Sequence, residues 1–245
     1  MNSSLSHASA QLRTSQRGIG LLEIFIGLTI ALFLLAGLLT VFAGTSQNFT
    51  AQNKLSQLQD DQRMAMGLLS TVIQEAGYFP SPQTLTITDA LPSSATFVQS
   101  AAVAGTSTSA GPDTIAVRYV ASPAGTSTSD FLMDCNGGSN SSPSGTVTFV
   151  NTFALSGTDL TCAVNSNAAR KLVGGISNLV VLYGIDPDGN SSVNQYLPAA
   201  SMTAALWPAV ISVKVTLTFV NPLFGQPGQL STIPFTRVIS LMSKS

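Results

Sequence analysis

Charge is scarce in this chain and histidine scarcer. Only 9% of its 245 residues are charged, the net charge is −1, and the single histidine is His7. With Arg13 and Arg17 confined to the first eighteen residues, eight basic side chains remain against eleven acidic ones, scattered from Lys54 to Lys244. No basic stripe exists to neutralise a phosphate backbone, so direct nucleic-acid binding is not indicated. One imidazole near the N-terminus leaves the rest of the chain without the base of a Ser-His-Asp triad, a Cys-His pair or an HExxH zinc site, and no Walker A loop is present. Acidic neighbours such as Asp60 and Asp61 fall on a polar helix face, where solvation accounts for them without catalysis. The chain reads as no enzyme and as needing no cofactor.

Cysteine is nearly absent too. Cys135 and Cys162 stand in a Gly/Ser/Asn-rich stretch with no CxxC and no histidine nearby, so a disulfide fastening a long loop and two free buried thiols are the readings open. The disulfide would suit an oxidising compartment and would contribute about 3 kcal/mol through loop closure.

What is present is apolar: 44% of the residues are hydrophobic, enough for a sizeable core. From Ile24 to Gly44 there is no charge at all. At about 1.5 Å per residue that run is long enough to cross a hydrocarbon core of about 30 Å. The arginines before it predict a cytoplasmic N-terminus and a periplasmic bulk, a single pass through the inner membrane. The run is longer than the roughly 7 to 15 residues of a secretory signal core, and the cut is expected before it, which predicts that it is retained. Glu23, near its start, is the one ionisable residue between Ile19 and Gly44; its carboxylate either finds a partner or snorkels to the headgroups.

No proline interrupts residues 19–79, and Phe49, Leu55, Leu58, Ala65, Leu69, Val72 or Ile73, and Ala76 recur at helical spacing. Gln57, Gln59, Asp60, Asp61, Gln62 and Gln74 take the other face. The pattern predicts one helix over 19–79, stopped by Gly77 and Pro80. Beyond it, residues 84–88, 114–120, 146–153, 179–185, 210–220 and 233–242 read as strands of a β-rich domain over 80–245. The class is α+β. The hexapeptide Ala-Gly-Thr-Ser-Thr-Ser, at 104–109 and again at 124–129, reads as surface loop, with glycosylation or a binding surface as alternatives. Asp186, Asp188 and Asn190 alternate like the opening of a calcium loop, yet Asp-Gly between two strand-like runs is also a hairpin turn; both remain open.

The residues Arg17-Gly-Ile-Gly-Leu-Leu-Glu23 resemble the type III signal of type IV pilins and type II secretion pseudopilins. The resemblance implies a pilin-like fold, a leader over 1–18 cut by a prepilin peptidase between Gly18 and Ile19, and N-methylation of Ile19. It also implies a role for Glu23 in neutralising a neighbouring subunit's N-terminus and setting register, with 19–44 serving first as a transmembrane segment and then as filament core. The block Leu55-Ser-Gln-Leu-Gln-Asp-Asp-Gln-Arg63, ending in Ala76-Gly-Tyr-Phe79, is similar to the PilW branch of minor pilins, as are 112–119, 172–186 and 207–217. That branch implies assembly with PilV-, PilX-, PilE- and FimU-like minor pilins, the major pilin and a PilY-type tip adhesin. It further implies extracellular placement near the pilus tip, supporting adhesion and twitching motility. A GspJ-like pseudopilin shares the order of elements, and a membrane-anchored periplasmic binding module is the alternative of another class.

Overall fold

The computed structural model describes residues 20–108, 111–125, 130 and 132–242. The chain divides into two compact units, Met1–Gln52 and Asn53–Ser245. Helix α1, Leu21–Gln74, runs through 54 residues without a kink-forming proline, about 80 Å at 1.5 Å per residue.

In the second unit the helix is amphipathic in fact as in pattern. Leu58, Ala65, Met66, Leu69, Val72 and Ile73 are buried, while Gln57, Gln59, Asp60 and Gln74 face outward. Phe49, counted on the apolar face by its spacing, is exposed. The helix also stops at Gln74, short of residue 79. Gly77 takes φ +79°, a left-handed turn that glycine adopts without steric cost. Its N–H then donates to Arg118 O at 2.9 Å and Tyr78 O accepts Val120 N–H at 2.8 Å. Ala-Gly-Tyr thus leaves the helix to hydrogen-bond along a strand, a non-local gain that helical spacing cannot register.

The remainder is two antiparallel sheets. Strands β1 (Val103–Thr106), β2 (Thr114–Ala121), β3 (Val147–Ser156), β4 (Asp159–Val164) and β5 (Arg170–Val173) form a five-stranded meander in chain order. β6 (Ile176–Ile185), β7 (Gln195–Pro198), β8 (Val210–Val220) and β9 (Thr232–Ser240) form a second sheet in the order β7-β6-β8-β9. One continuous core joins the buried stripe of α1 to Val117, Tyr119 and Phe153 of the first sheet and Val213, Val215 and Leu217 of the second. A long N-terminal helix packed on antiparallel sheets is the α+β class expected.

Residues 84–88 are not a strand. Pro80 and Pro82 remove two ladder donors, Ser81 sits at φ +61°, and Thr86 caps the short helix α2 (Ile87–Ala90) by accepting Asp89 N–H. The first hexapeptide repeat is not wholly loop either: Ala104–Thr106 lies in β1, and residues 126–129 of the second fall outside the described residues.

Candidate functional site

Every residue from Gly20 to Thr50 is exposed, although the segment includes Leu21, Phe25, Leu28, Phe33, Leu38 and Phe42. α1 is the one described helix long and apolar enough to cross a membrane, with a mean hydropathy of 2.6 over its most apolar stretch and none of that stretch buried. Thr29 and Thr40 return their hydroxyls to Ile26 O and Gly37 O at 2.9 and 2.8 Å, so the side-chain donors are satisfied within the helix as hydrocarbon requires. Glu23 lies in its first turn, where a carboxylate complements the helix dipole. Gly27, Gly37 and Gly44 leave open space at their Cβ positions, room for a second helix to approach. Gly18 and Ile19, the expected cleavage and methylation site, lie outside the described residues.

Cys135 and Cys162 are joined by a disulfide with Cα atoms 6.4 Å apart, both buried in the main core. The bond ties the connection between β2 and β3 down onto β4, the loop-fastening alternative. Around it, Asn151 Oδ1 accepts Cys135 N–H at 2.9 Å, and Asn140 Nδ2 donates to Ser122 O and Gly145 O, both at 2.8 Å. Local side chains thus satisfy the backbone of a long irregular segment.

Asp186, Asp188 and Asn190 lie in the connection between β6 and β7, which pair from Ile185↔Gln195 onward. Asp186 accepts Asn190 N–H at 3.1 Å and Ser191 N–H at 2.7 Å, and Asn190 Nδ2 donates to Asp188 Oδ2 at 3.0 Å. These oxygens are occupied in holding a turn, with Gly189 at φ +70°. Among the described residues no group of three or more His, Cys, Asp or Glu side chains gathers.

Several structural anchors carry no sequence signature. Arg118 on β2 is buried, and its guanidinium donates to four backbone carbonyls, those of Ala101 at 2.7 Å, Pro92, Leu91 at 3.1 Å and Val98 at 2.9 Å. It also lies 4.6 Å from the Phe97 ring centroid. Burial pulls the guanidinium down to about 10, so it stays charged at neutral pH. One side chain therefore organises the whole connection from Leu91 to Ala102. Asp113 joins the sheets: its N–H donates to Leu179 O and its carboxylate accepts Val181 N–H at 2.8 Å. Tyr183, edge-on to Trp207 at 4.8 Å, donates to Ala104 O at 3.4 Å across the space that a side chain at Gly105 would fill. A lone arginine or aspartate in an apolar run hints at such a role, but its carbonyl partners are not visible from spacing.

Glu75, just past α1, is half-buried, and its Oε2 has no hydrogen-bond partner among the described residues. Burial pushes its carboxyl up to about 7, nearby Asp130 adds to the rise, and a hydrogen bond from the Met133 backbone opposes it.

No curated protein matches the chain. Among solved structures, a type IV-like pilin from Thermus thermophilus aligns at 12% identity and a TM-score of 0.45, covering 75% of this chain and 95% of its own. Residues 142–228 match the family model of PilW, type IV pilus-assembly protein W, a stretch that contains the PilW-like blocks at 172–186 and 207–217.

Proposed function

We propose that the chain is a minor type IV pilin of the PilW kind, a structural subunit whose mechanism is assembly. The observation that carries this reading is α1 itself: an uninterrupted helix, apolar and exposed over residues 21–50 apart from its polar turns, that continues as the packed helix of a folded domain. A tether needs only reach. A continuous helix with glycines on its surface and one acid in its first turn is suited to a bundle of like helices, where Glu23 meets the N-terminal ammonium of a neighbour.

In this reading the precursor spans the inner membrane once with its domain in the periplasm. Prepilin peptidase removes residues 1–18 and methylates Ile19, and the helix then passes from lipid into the filament core. The subunit acts with other minor pilins and a tip adhesin to prime pilus growth near the tip. The test is the N-terminus and mass of the full chain from membranes and from sheared pili, with and without the peptidase. A mature chain beginning at methylated Ile19, in sheared pili only when the peptidase is present, is the expected result. An intact residue 1–18 segment in both strains overturns it in favour of a tethered periplasmic binding module.

A further inference from the structure

The two sheets present four edge strands, and three are short: β1, β5 and β7 have four residues each. β5 adds Arg170 and Lys171, and β7 ends in Pro198. Short length, lysine and proline are the devices by which sheet edges avoid pairing with other chains. β9 differs. It has nine residues and is exposed from Pro234 to Val238.

Its hydrogen-bonding phase follows from both ends of the β8–β9 ladder. Asn221 N–H donates to Ser231 O and Leu241 N–H to Ile211 O, each at 2.9 Å, and the register between them is unbroken. Antiparallel pairs alternate, so the odd residues of β9 bond to β8 while Thr232, Pro234, Thr236, Val238 and Ser240 turn their backbone groups away from it. The close approach of the Thr216 and Thr236 hydroxyls, 2.8 Å, is that of a non-hydrogen-bonded pair. Pro234 withholds its donor and blocks the first half of this edge. Among the described residues no second strand pairs with β9 at Thr236, Val238 and Ser240, which leave the second half open.

The side chains there state a charge preference. Arg237 is exposed and has no ion-pair partner among the described residues, and Lys214 stands opposite Val238 on the other face. No Asp or Glu follows Asp188 in the sequence. A second copy of β9 would bring like charges together along a shared ladder, which is unfavourable. An extended segment carrying a carboxylate would pair its backbone with the open edge and its charge with Arg237, while covering Val238 and Phe235, which are 51% and 38% exposed.

We propose that the Thr236–Ser240 edge of β9 docks an extended, acidic segment of another protein by strand addition. The inference stands apart from the pilus reading, because it concerns only the folded domain. Its test is residue-resolved amide exchange on the full chain in detergent, with a synthetic peptide of alternating threonine and valine around a central aspartate, and with the same peptide carrying lysine instead. Protection at Thr236, Val238 and Ser240 is expected to rise about tenfold or more with the aspartate peptide and little with the lysine peptide. Arg237→Glu should reverse that preference, and Val238→Pro should abolish the gain while the melting temperature holds. Equal protection by both peptides, no rise, or a rise confined to odd positions overturns the proposal. A rise that follows protein concentration without peptide also overturns it, because the occupant would then be a second copy.

Discussion

The two halves of α1 share one backbone and differ in everything else. Residues 21–50 carry Leu, Ile, Phe and Val on all sides and bury none of them, whereas residues 58–76, Met64 aside, gather their apolar side chains in one stripe and bury it against both sheets. An all-round apolar surface has no preferred direction and suits lipid or a ring of similar helices; a stripe fixes one partner. The contrast separates two kinds of stability. The second half draws its stability from the domain core, and the first half is free of that core and available to another environment.

The strongest way to break the contrast is to place the same charge in each half. Leu69 is fully buried, and Leu69→Asp would strand a carboxylate in the core at a cost of about 4 kcal/mol, a large fraction of a typical domain's stability. Leu32→Asp should leave the domain's urea midpoint unchanged and instead weaken membrane retention, read by fractionation. Equal loss of domain stability in both variants would show that the first half is part of the domain's cooperative unit.

Arg118 extends the comparison to the domain's own scaffolding. Arg118→Met removes the donor to four carbonyls in one step, and the buried acceptors left behind are expected to cost about 3 kcal/mol in urea unfolding. Replacing Cys135 and Cys162 together by serine should cost a similar or slightly smaller amount, about 3 kcal/mol, with the difference vanishing when both proteins are measured under reducing conditions. Neither change should alter membrane retention, because both act on the second unit.

These anchors also mark where the sequence stops being legible. β2, β3, β6, β8 and β9 are readable because they are runs of Val, Ile, Thr and Phe eight or more residues long. β1 and β7 are four-residue strands carrying Gly105 and Pro198, and β5 begins with two charges, so each depends on its neighbours more than on its own composition. The division into two sheets is a matter of hydrogen-bonded pairing between distant strands and leaves no local trace. The disulfide pairs cysteines 27 positions apart, a contact that depends on the loop's path and not on local composition. At Asp186 spacing alone does not choose, because the backbone donors of a turn and a calcium ion ask for the same oxygens. The apolar run is plain, since a charge-free span announces itself by composition alone.

The smallest effect is one of pH, just past the C-terminal end of α1. Glu75 holds its proton up to about pH 7, against an ordinary value of 4.5, because burial first and Asp130 second disfavour its charge. Below about pH 4.5 the folded and unfolded chains both carry that proton and the contribution to stability is fully present. Between there and 7 the unfolded chain has released it while the folded chain has not, so stability falls as pH rises, and above 7 the loss is complete. Glu75 as a whole is only half-buried, and solvent screening reduces the effect to roughly 1 kcal/mol, or about 3 °C in melting temperature for a domain of this size. Glu75→Gln should therefore melt with wild type at pH 4 and above it at pH 8. A variant that melts lower than wild type at pH 8 would mean that the ionised carboxylate is held by a favourable partner, and that the end of α1 is fastened by charge as well as by its apolar stripe.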